Sequence, residues 1–231
     1  MKTILIIGAS SGIGLHLASQ LAEAGHHVVG TFHTHPVNSS HENLHFIHYN
    51  VLDNKPLHDL PEIIDAMVYC PGSIVLKPFA RVSAAEFEHD FKLNVGGAIN
   101  TIQAALPALK KSEHASIVLM SSVAASVGLN YHAVVASSKG AIEGLTRALA
   151  AELAPKIRVN AVALSLTDTP LAEGLLNSDQ KVEANAQRHP LKRIGTTQDA
   201  ANMISFLVSD QSAWVSGQIF HVDGGISSLK V

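Results

Sequence analysis

The chain has 231 residues, of which 47% are apolar, and a formal net charge of -3 at pH 7. This length and composition suit one large domain or two small ones with a proper hydrophobic core, and they exclude a disordered chain or a small disulfide-stapled scaffold. Only 16 residues are Lys or Arg, so we expect no nucleic-acid partner. The single cysteine, Cys70, excludes an internal disulfide and is typical of a reducing compartment.

Short β-type apolar runs alternate with helical periodicity along the chain. The predicted strands are TILIIG, HVVGTF, LHFIHY, AMVYC, SIVLMSS, IRVNAVAL and QIFHV, and the predicted helices cover about 11–24, 84–111, 133–154 and stretches up to 208. Parallel strands need crossover connections and are buried on both faces. The alternation therefore predicts a single α/β domain over 1–231, with a doubly wound parallel sheet of about seven strands and helices on both faces.

Glycines follow the first apolar run at once, so we interpret it as a buried strand rather than a signal peptide. No apolar stretch reaches the roughly 20 residues of a membrane span. The sequence therefore predicts a soluble cytoplasmic protein without a membrane partner.

Two connections and one later segment depart from regular strand and helix alternation. Residues 33–44 and 50–64 are short for crossover helices, so we expect a loop in the first and at most a turn or two in the second. Residues 165–190 contain Thr-Asp-Thr-Pro followed by polar helical turns, which makes the segment a candidate lid over a substrate pocket.

The run IIGASSGIG joins the first predicted strand to the first predicted helix. Its glycines permit a tight turn and close backbone approach, while the free amides and the dipole of the helix start attract a pyrophosphate. A plain strand-to-helix turn is the alternative, and the position in the chain decides against it. The predicted dinucleotide-binding residues of this loop are Gly8, Ser10, Ser11, Gly12, Ile13 and Gly14.

The end of the second strand, residues 30–35, has no acidic side chain to hold the ribose 2′-hydroxyl of NAD. Thr31, His33 and Thr34 offer hydrogen bonds to a 2′-phosphate, which would also favour a charged imidazole. We therefore expect NADP(H) to be preferred, with NAD(H) as the alternative, although no lysine or arginine of this segment would clamp the phosphate.

Histidines are concentrated near this strand, with seven of the 14 between residues 26 and 48. His33 and His35 alternate as metal ligands on one strand face would, but no Cys, Asp or Glu joins them at ligand spacing. Surface histidines are the commoner case, so we predict no metal site.

Three further motifs contain residues that bear on function. Ser122 stands thirteen residues before Val135, Lys139 stands four residues after it in AVVASSKGAIEGL, and Asn94 lies in KLNVGG. With the Gly-x-x-x-Gly-x-Gly loop, this pattern resembles the short-chain dehydrogenase/reductase superfamily, in particular its 3-oxoacyl-(acyl-carrier-protein) reductase-like members. The resemblance spans nearly the whole chain. It implies a Rossmann-type domain, NAD(P)(H)-dependent oxidoreduction of a small carbonyl or alcohol, and a homotetramer or homodimer.

The resemblance also implies roles for individual residues. Asn94, Ser122 and Lys139 would be catalytic: Asn94 would organise a relay water, Ser122 would bind the substrate oxygen, and Lys139 would also hold the nicotinamide ribose. Relatives have a tyrosine in place of Val135 as proton donor, and loss of a general acid costs about 10²- to 10⁴-fold in rate.

Tyr131 and His132 are candidate substitutes for the missing tyrosine. On a helix continued towards the N-terminus, Tyr131 would share the face of Val135, one turn away. His132 offers an imidazole, a side-chain type suited to proton transfer at neutral pH. The alternative is that both residues only line the pocket mouth, and a substrate proton or a relayed water would also avoid the need for tyrosine.

Other strand ends supply the remaining implied cofactor contacts. Asn50-Val51 replaces the Asp-Val that relatives place against adenine, and YCPG replaces Asn-Asn-Ala-Gly, with Cys70 interpreted as a buried filler rather than a reactive thiol. Leu164 and Ser165 replace Pro-Gly near the nicotinamide. The implied cofactor residues in these regions are Asn50, Val51, Cys70, Pro71, Gly72, Lys139, Thr167 and Thr169.

Three functions remain open from the sequence. The first is an NAD(P)(H)-dependent oxidoreductase with an atypical proton donor, and the second is a nucleotide-binding regulator or a subunit of an active relative. The third is a lyase or isomerase on the same fold. The glycine loop, Asn94, Ser122 and Lys139 are all retained, which favours the enzyme.

Overall fold

A computed structural model describes residues 1–37, 39, 41–53 and 55–230. The strands are β1 (Thr3–Ile7), β2 (His27–Phe32), β3 (Leu44–His48), β4 (Ala66–Tyr69), β5 (Ala115–Ser122), β6 (Ile157–Leu164) and β7 (Ile219–Val222). The helices are α1 (Gly12–Glu23), α2 (Ala84–Phe91), α3 (Gly97–Leu109), α4 (Ala133–Leu153), α5 (Glu173–Leu176), α6 (Asp179–Gln187) and α7 (Thr197–Val208).

The strands form one parallel sheet in the order β3-β2-β1-β4-β5-β6-β7. From β1 the chain adds β2 and β3 on one side, then returns to place β4 on the other side of β1. The carboxyl ends of parallel strands open a crevice where the strand order reverses, which is the usual ligand site of such sheets. The predicted doubly wound sheet of seven strands is confirmed.

Both faces of the sheet are covered by helices, as the apolar strands require. In β1, Leu5 and Ile7 belong to the core layer shared with α3 and α4, whereas Ile4 and Ile6 belong to the layer shared with α1 and α7. Successive strand residues point to opposite faces, so one continuous apolar run supplies both layers. Among the described residues, no helix is both long enough and apolar enough to cross a membrane.

The two short connections lack crossover helices in their described residues, as expected. β2 is followed directly by β3, and only turns precede β4. This leaves the end of β2 open towards the crevice, where a ligand can reach it.

The helix predicted over 84–111 is divided by a π-helical turn at Lys92–Gly96. Asn94 lies in this turn, and its side-chain amide donates to the Asp90 carbonyl oxygen at 2.9 Å. That oxygen is the one that a regular α-helix would pair with the Asn94 backbone amide, so the side chain competes with the helix ladder. The turn buries Asn94 beside the crevice.

Candidate active site

The loop between β1 and α1 forms the floor of the crevice. A Cβ added at Gly14 would stand 2.1 Å from the Gly8 carbonyl oxygen, so only glycine fits where the helix starts against the strand. Gly8 itself has φ +76°, a conformation that glycine adopts without strain. The first amides of α1 have no partners within the helix, which suits the loop to a phosphate group.

A groove of about 400 Å³ runs from this loop across the ends of the neighbouring strands. The residues predicted to bind the cofactor that line it are Gly8, Ser10, Ser11, Gly12, Ile13, Gly14, Thr31, His33, Asn50, Val51, Cys70, Pro71, Gly72 and Thr169. The fold thus brings together residues that are far apart in sequence.

The β2 end of the groove carries histidine and threonine side chains. Thr31 is buried, and its hydroxyl accepts a hydrogen bond from the Gly8 amide at 2.9 Å, so it braces the glycine loop. His33, Thr34 and His35 are exposed along the groove. Among the described residues that line the groove there is no Asp, Glu, Lys or Arg. The groove therefore presents no carboxylate that would repel a 2′-phosphate.

Asn50 and Cys70 also line the groove, and neighbouring residues determine the state of both side chains. The Asn50 side chain accepts from the Leu52 amide at 3.0 Å and donates to Asp53 at 2.9 Å. Burial raises the pKa of the Cys70 thiol to about 12. The thiol is therefore protonated at neutral pH, which supports its interpretation as a packing residue.

Lys139 extends from α4 to the end of β5. Its Nζ atom donates to the Met120 carbonyl oxygen at 2.9 Å, and the side chain is buried. Burial lowers the pKa of Lys139 to about 8, while the carboxylate of Asp90 opposes that change. Because this pKa lies only slightly above neutral pH, Lys139 is mostly, but not completely, charged at pH 7.

The side chains of Asn94 and Lys139 both approach Gly72. Both Asn94 Oδ1 and Lys139 Nζ lie 3.4 Å from the point where a Cβ on Gly72 would stand. The Asn94 amide also donates to Ser73 at 3.3 Å, whereas Oδ1 is buried without a hydrogen-bond partner among the described residues. Oδ1 is therefore an acceptor that a bound group can use, because buried polar atoms are normally paired.

Two smaller cavities lie at the ends of β5 and β6, of which the first shares lining residues with the groove and the second adjoins the first. The first, of about 160 Å³, includes Lys139 and Thr167, and the second, of about 180 Å³, includes His132. Ser122 and Val135 line both, with Val135 only 7% exposed. The Ser122 oxygen accepts from the Ala124 amide at 3.2 Å, which leaves its hydrogen free to be donated into the cavities.

The predicted placement of Tyr131 is wrong. α4 begins at Ala133, and Tyr131 precedes it with φ +70°, so it does not share the helical face of Val135. Its side chain is 59% exposed and lines neither small cavity. His132 lines the second cavity, and its Nδ1 lies 2.7 Å from the Asn130 carbonyl oxygen.

Sequence reasoning missed a serine and histidine pair in the second cavity. The Ser165 hydroxyl and His189 Nε2 lie 2.8 Å apart, and His189 Nδ1 lies 2.9 Å from the Asn185 carbonyl oxygen. His189 is buried. The only sequence signal was Ser165 itself, which replaces the glycine of related sequences. Its partner is 24 positions away, and only the fold joins them.

The segment 165–190 folds as a short 3-10 turn followed by α5 and α6. Thr169, Pro170 and Leu171 line the groove, whereas Leu175 and Arg188 line the second cavity. The segment therefore forms the wall that cofactor and substrate sites would share. The described residues contain no group of three or more His, Cys, Asp or Glu side chains placed to hold a metal ion.

Two proteins illustrate the sequence similarity of this chain to known proteins. A tropinone reductase homologue from Arabidopsis thaliana is 31% identical over 249 residues, with 98% of this chain and 92% of the relative covered. The 3-oxoacyl-(acyl-carrier-protein) reductase FabG of Staphylococcus aureus is 31% identical over 242 residues, with 97% of this chain and 98% of the relative covered.

Solved structures agree in fold over the whole chain. The ligand-free aldohexose dehydrogenase of Thermoplasma acidophilum superimposes with a TM-score of 0.88 at 27% identity, covering 100% of this chain and 96% of that one. ElxO with NADP bound gives a TM-score of 0.87 at 26% identity, covering 99% and 100%. The family model described as Enoyl-(Acyl carrier protein) reductase matches residues 8–227. The chain belongs to the short-chain dehydrogenase/reductase family.

Proposed function

We propose that the protein is an NADP(H)-preferring oxidoreductase that interconverts a small carbonyl compound and its alcohol. The observation that carries this proposal is the junction at Gly72, which lines both the groove and the first small cavity. A cofactor along the groove would end where a substrate in the cavity begins. Lys139 and Asn94 flank that junction, and Ser122 lines the cavity beyond it.

The residues of the groove fit a dinucleotide. The glycine loop would hold the pyrophosphate, and His33 with Thr34 would face the 2′-phosphate. Lys139 would donate to the nicotinamide ribose, and Thr167 and Thr169 would contact the carboxamide and phosphate. When bound, NADPH would supply a hydride to the carbonyl carbon. The unpartnered Asn94 Oδ1 and the close fit at Gly14 support this assignment.

Ser122 would orient the substrate. Its oxygen is already paired with the Ala124 amide, so the hydroxyl hydrogen can be directed at the substrate oxygen. The charged Lys139 would add positive potential at the point where that oxygen gains charge. Two relatives support a carbonyl substrate, because one is a 3-oxoacyl-(acyl-carrier-protein) reductase and the other is a tropinone reductase homologue.

Calorimetric titration of the protein with NADPH and with NADH tests the cofactor assignment. We expect both to bind, with NADPH bound more tightly because the groove lacks a carboxylate. Absence of NADPH binding would contradict the proposal.

A nucleotide-binding regulator, or a subunit that assembles with an active relative, is the second candidate. Val135 favours it, because this buried side chain has no proton to give at the position where relatives keep their donor. This candidate predicts NADPH binding without consumption. A lyase or isomerase would instead convert its substrate without any change in NADPH absorbance.

We further propose a single domain over 1–231 in which 165–190 acts as a lid, and a cytoplasmic homotetramer or homodimer. The position of 165–190 between the groove and the second cavity supports the lid. Trp214 supports assembly, because its large apolar ring is wholly exposed in the single chain.

A further inference from the structure

We infer that Ser165 and His189 form the proton relay that replaces the missing tyrosine. This inference rests on the proposed carbonyl reduction and names the residue that would complete it. Ser165 would be the catalytic residue that touches the substrate oxygen. His189 would act through Ser165, as a positioning and proton-supplying residue.

The surroundings of His189 fix which of its nitrogens can change protonation. Nδ1 faces the Asn185 carbonyl oxygen at 2.9 Å, and a carbonyl can only accept, so Nδ1 carries a proton in every state. Nε2 faces the Ser165 hydroxyl at 2.8 Å. A neutral ring therefore accepts from Ser165, and a charged ring donates to it. Nε2 is thus the nitrogen that can pass a proton, and it is aimed at the serine.

Ser165 lies beside the residues that would hold the substrate. Ser122 and Leu164 are register partners on β5 and β6, which places their Cα atoms about 4.8 Å apart. Ser165 follows Leu164 directly, and it lines both small cavities together with Ser122 and Val135. A carbonyl oxygen held by Ser122 would lie in the same cavity as the Ser165 hydroxyl.

The proton transfer balances with a charged His189. A reduced nicotinamide held by the glycine loop and Lys139 would supply the hydride to the carbonyl carbon, while the carbonyl oxygen takes the hydroxyl proton of Ser165. The Ser165 oxygen takes the proton of His189 Nε2 at the same time. The products are an alcohol, an oxidised nicotinamide and a neutral His189, which regains its proton from solvent. Oxidation of an alcohol runs the same steps in reverse.

The same hydrogen bond also ties the two ends of the segment 165–190 together, so a purely structural role has to be separated from a relay. Three variants do this. Ser165→Ala removes the hydroxyl, Ser165→Thr keeps it, and His189→Gln keeps a hydrogen-bonding side chain that cannot carry a mobile proton.

Reduction is measured with NADPH and a carbonyl compound that the wild type turns over. We expect kcat to fall by about 10²-fold or more in Ser165→Ala and His189→Gln, and by only a few-fold in Ser165→Thr. Adding Val135→Tyr to Ser165→Ala should restore turnover, because a tyrosine there lies one helical turn from Lys139 and lines the same cavities. If Ser165→Ala lowered turnover only by misplacing the segment 165–190, adding Val135→Tyr would not restore turnover.

A second serine and histidine pair provides the matched control. Ser126 Oγ and His221 Nε2 lie 3.4 Å apart. Neither residue lines the two cavities that Val135 lines. Ser126→Ala and His221→Gln should leave turnover unchanged. If Ser165→Ala and His189→Gln are as active as the wild type, the relay is wrong while carbonyl reduction stands. If the wild type itself consumes no NADPH, the proposed function fails first and the relay with it.

A readout without turnover uses protein labelled with 15N-histidine. The NMR signals of His189 should show a protonated Nδ1 and an Nε2 that responds to Ser165→Ala. An Nε2 signal unaffected by that change would contradict the pairing on which the relay depends.

Discussion

Lys139 is the residue whose burial has the clearest energetic consequence. Its pKa of about 8 in the folded protein lies below the ordinary value of 10.5, so folding disfavours the charged form. Below pH 8 the lysine is charged in both states and the cost is fully present. As pH rises from 8 to 10.5 the folded state loses its proton first, so the free energy of unfolding rises in that interval.

Lys139→Met should therefore stabilise the protein without cofactor. The pKa difference corresponds to about 3 kcal/mol at pH 7, and loss of the bond to Met120 offsets about 1 kcal/mol of it. Urea unfolding at pH 7 and pH 10 measures the increase in the free energy of unfolding over the wild type and shows whether that increase becomes smaller at the higher pH. Lys156→Met, at an exposed lysine, is the control. A variant less stable than the wild type at pH 7 would contradict the assignment of Lys139 as a costly buried cation.

His33 is the residue to which we attribute the proposed preference for NADP(H). His33→Asp would place a carboxylate in a groove whose described lining has none, and we expect it to weaken NADPH binding by about tenfold through repulsion of the 2′-phosphate. NADH binding should improve or stay unchanged. Calorimetry with both cofactors measures the change. His27→Asp, at the opposite end of β2, is the control and should leave the preference for NADPH over NADH unchanged. If His33→Asp also leaves that preference unchanged, His33 does not face the 2′-phosphate.

The junction between β1 and α1 is the element on which the proposed cofactor binding would depend. Gly14→Ala would force a methyl group against the Gly8 carbonyl oxygen, so the loop and the helix start must separate. We expect a lower melting temperature and NADPH binding weakened by at least about tenfold. Gly144→Ala in α4, where a Cβ meets nothing within 4 Å, is the matched control and should bind NADPH normally. Normal binding by Gly14→Ala would contradict the role of this junction.

Several elements could be predicted from the sequence because their signals are local. Runs such as TILIIG and IRVNAVAL are continuously apolar, and buried parallel strands need that pattern. The helix predicted over 133–154 begins at Ala133 as expected, but the left-handed turn at Tyr131 and the π-helical turn at Lys92–Gly96 could not be predicted. Tyr131 adopts a left-handed conformation that its residue type does not predict, and the bond from the Asn94 side chain to the Asp90 carbonyl oxygen is not indicated by the helical sequence pattern.

At the scale of the whole molecule, the fold brings together residues whose separation in the sequence does not predict that they are close. The strand and helix alternation predicted a doubly wound parallel sheet, and the strand order of that sheet brings Gly8, Thr31 and Gly72 to one groove. The pairing of Ser165 with His189 depends on where the segment 165–190 folds back, and that path is set by packing rather than by sequence pattern. Most residues that line the groove were therefore named from the sequence, whereas Lys139 and Thr167 line the adjoining cavity and the pairing of Ser165 with His189 was missed.

The most direct test follows NADPH absorbance while the wild-type protein is incubated with a panel of carbonyl compounds, including 3-oxoacyl thioesters, cyclic ketones and aldoses. The proposed function predicts that NADPH is bound and is consumed with at least one class, and that Lys139→Met consumes it more slowly. NADPH that binds but is never consumed across the panel would contradict an oxidoreductase and favour the nucleotide-binding regulator.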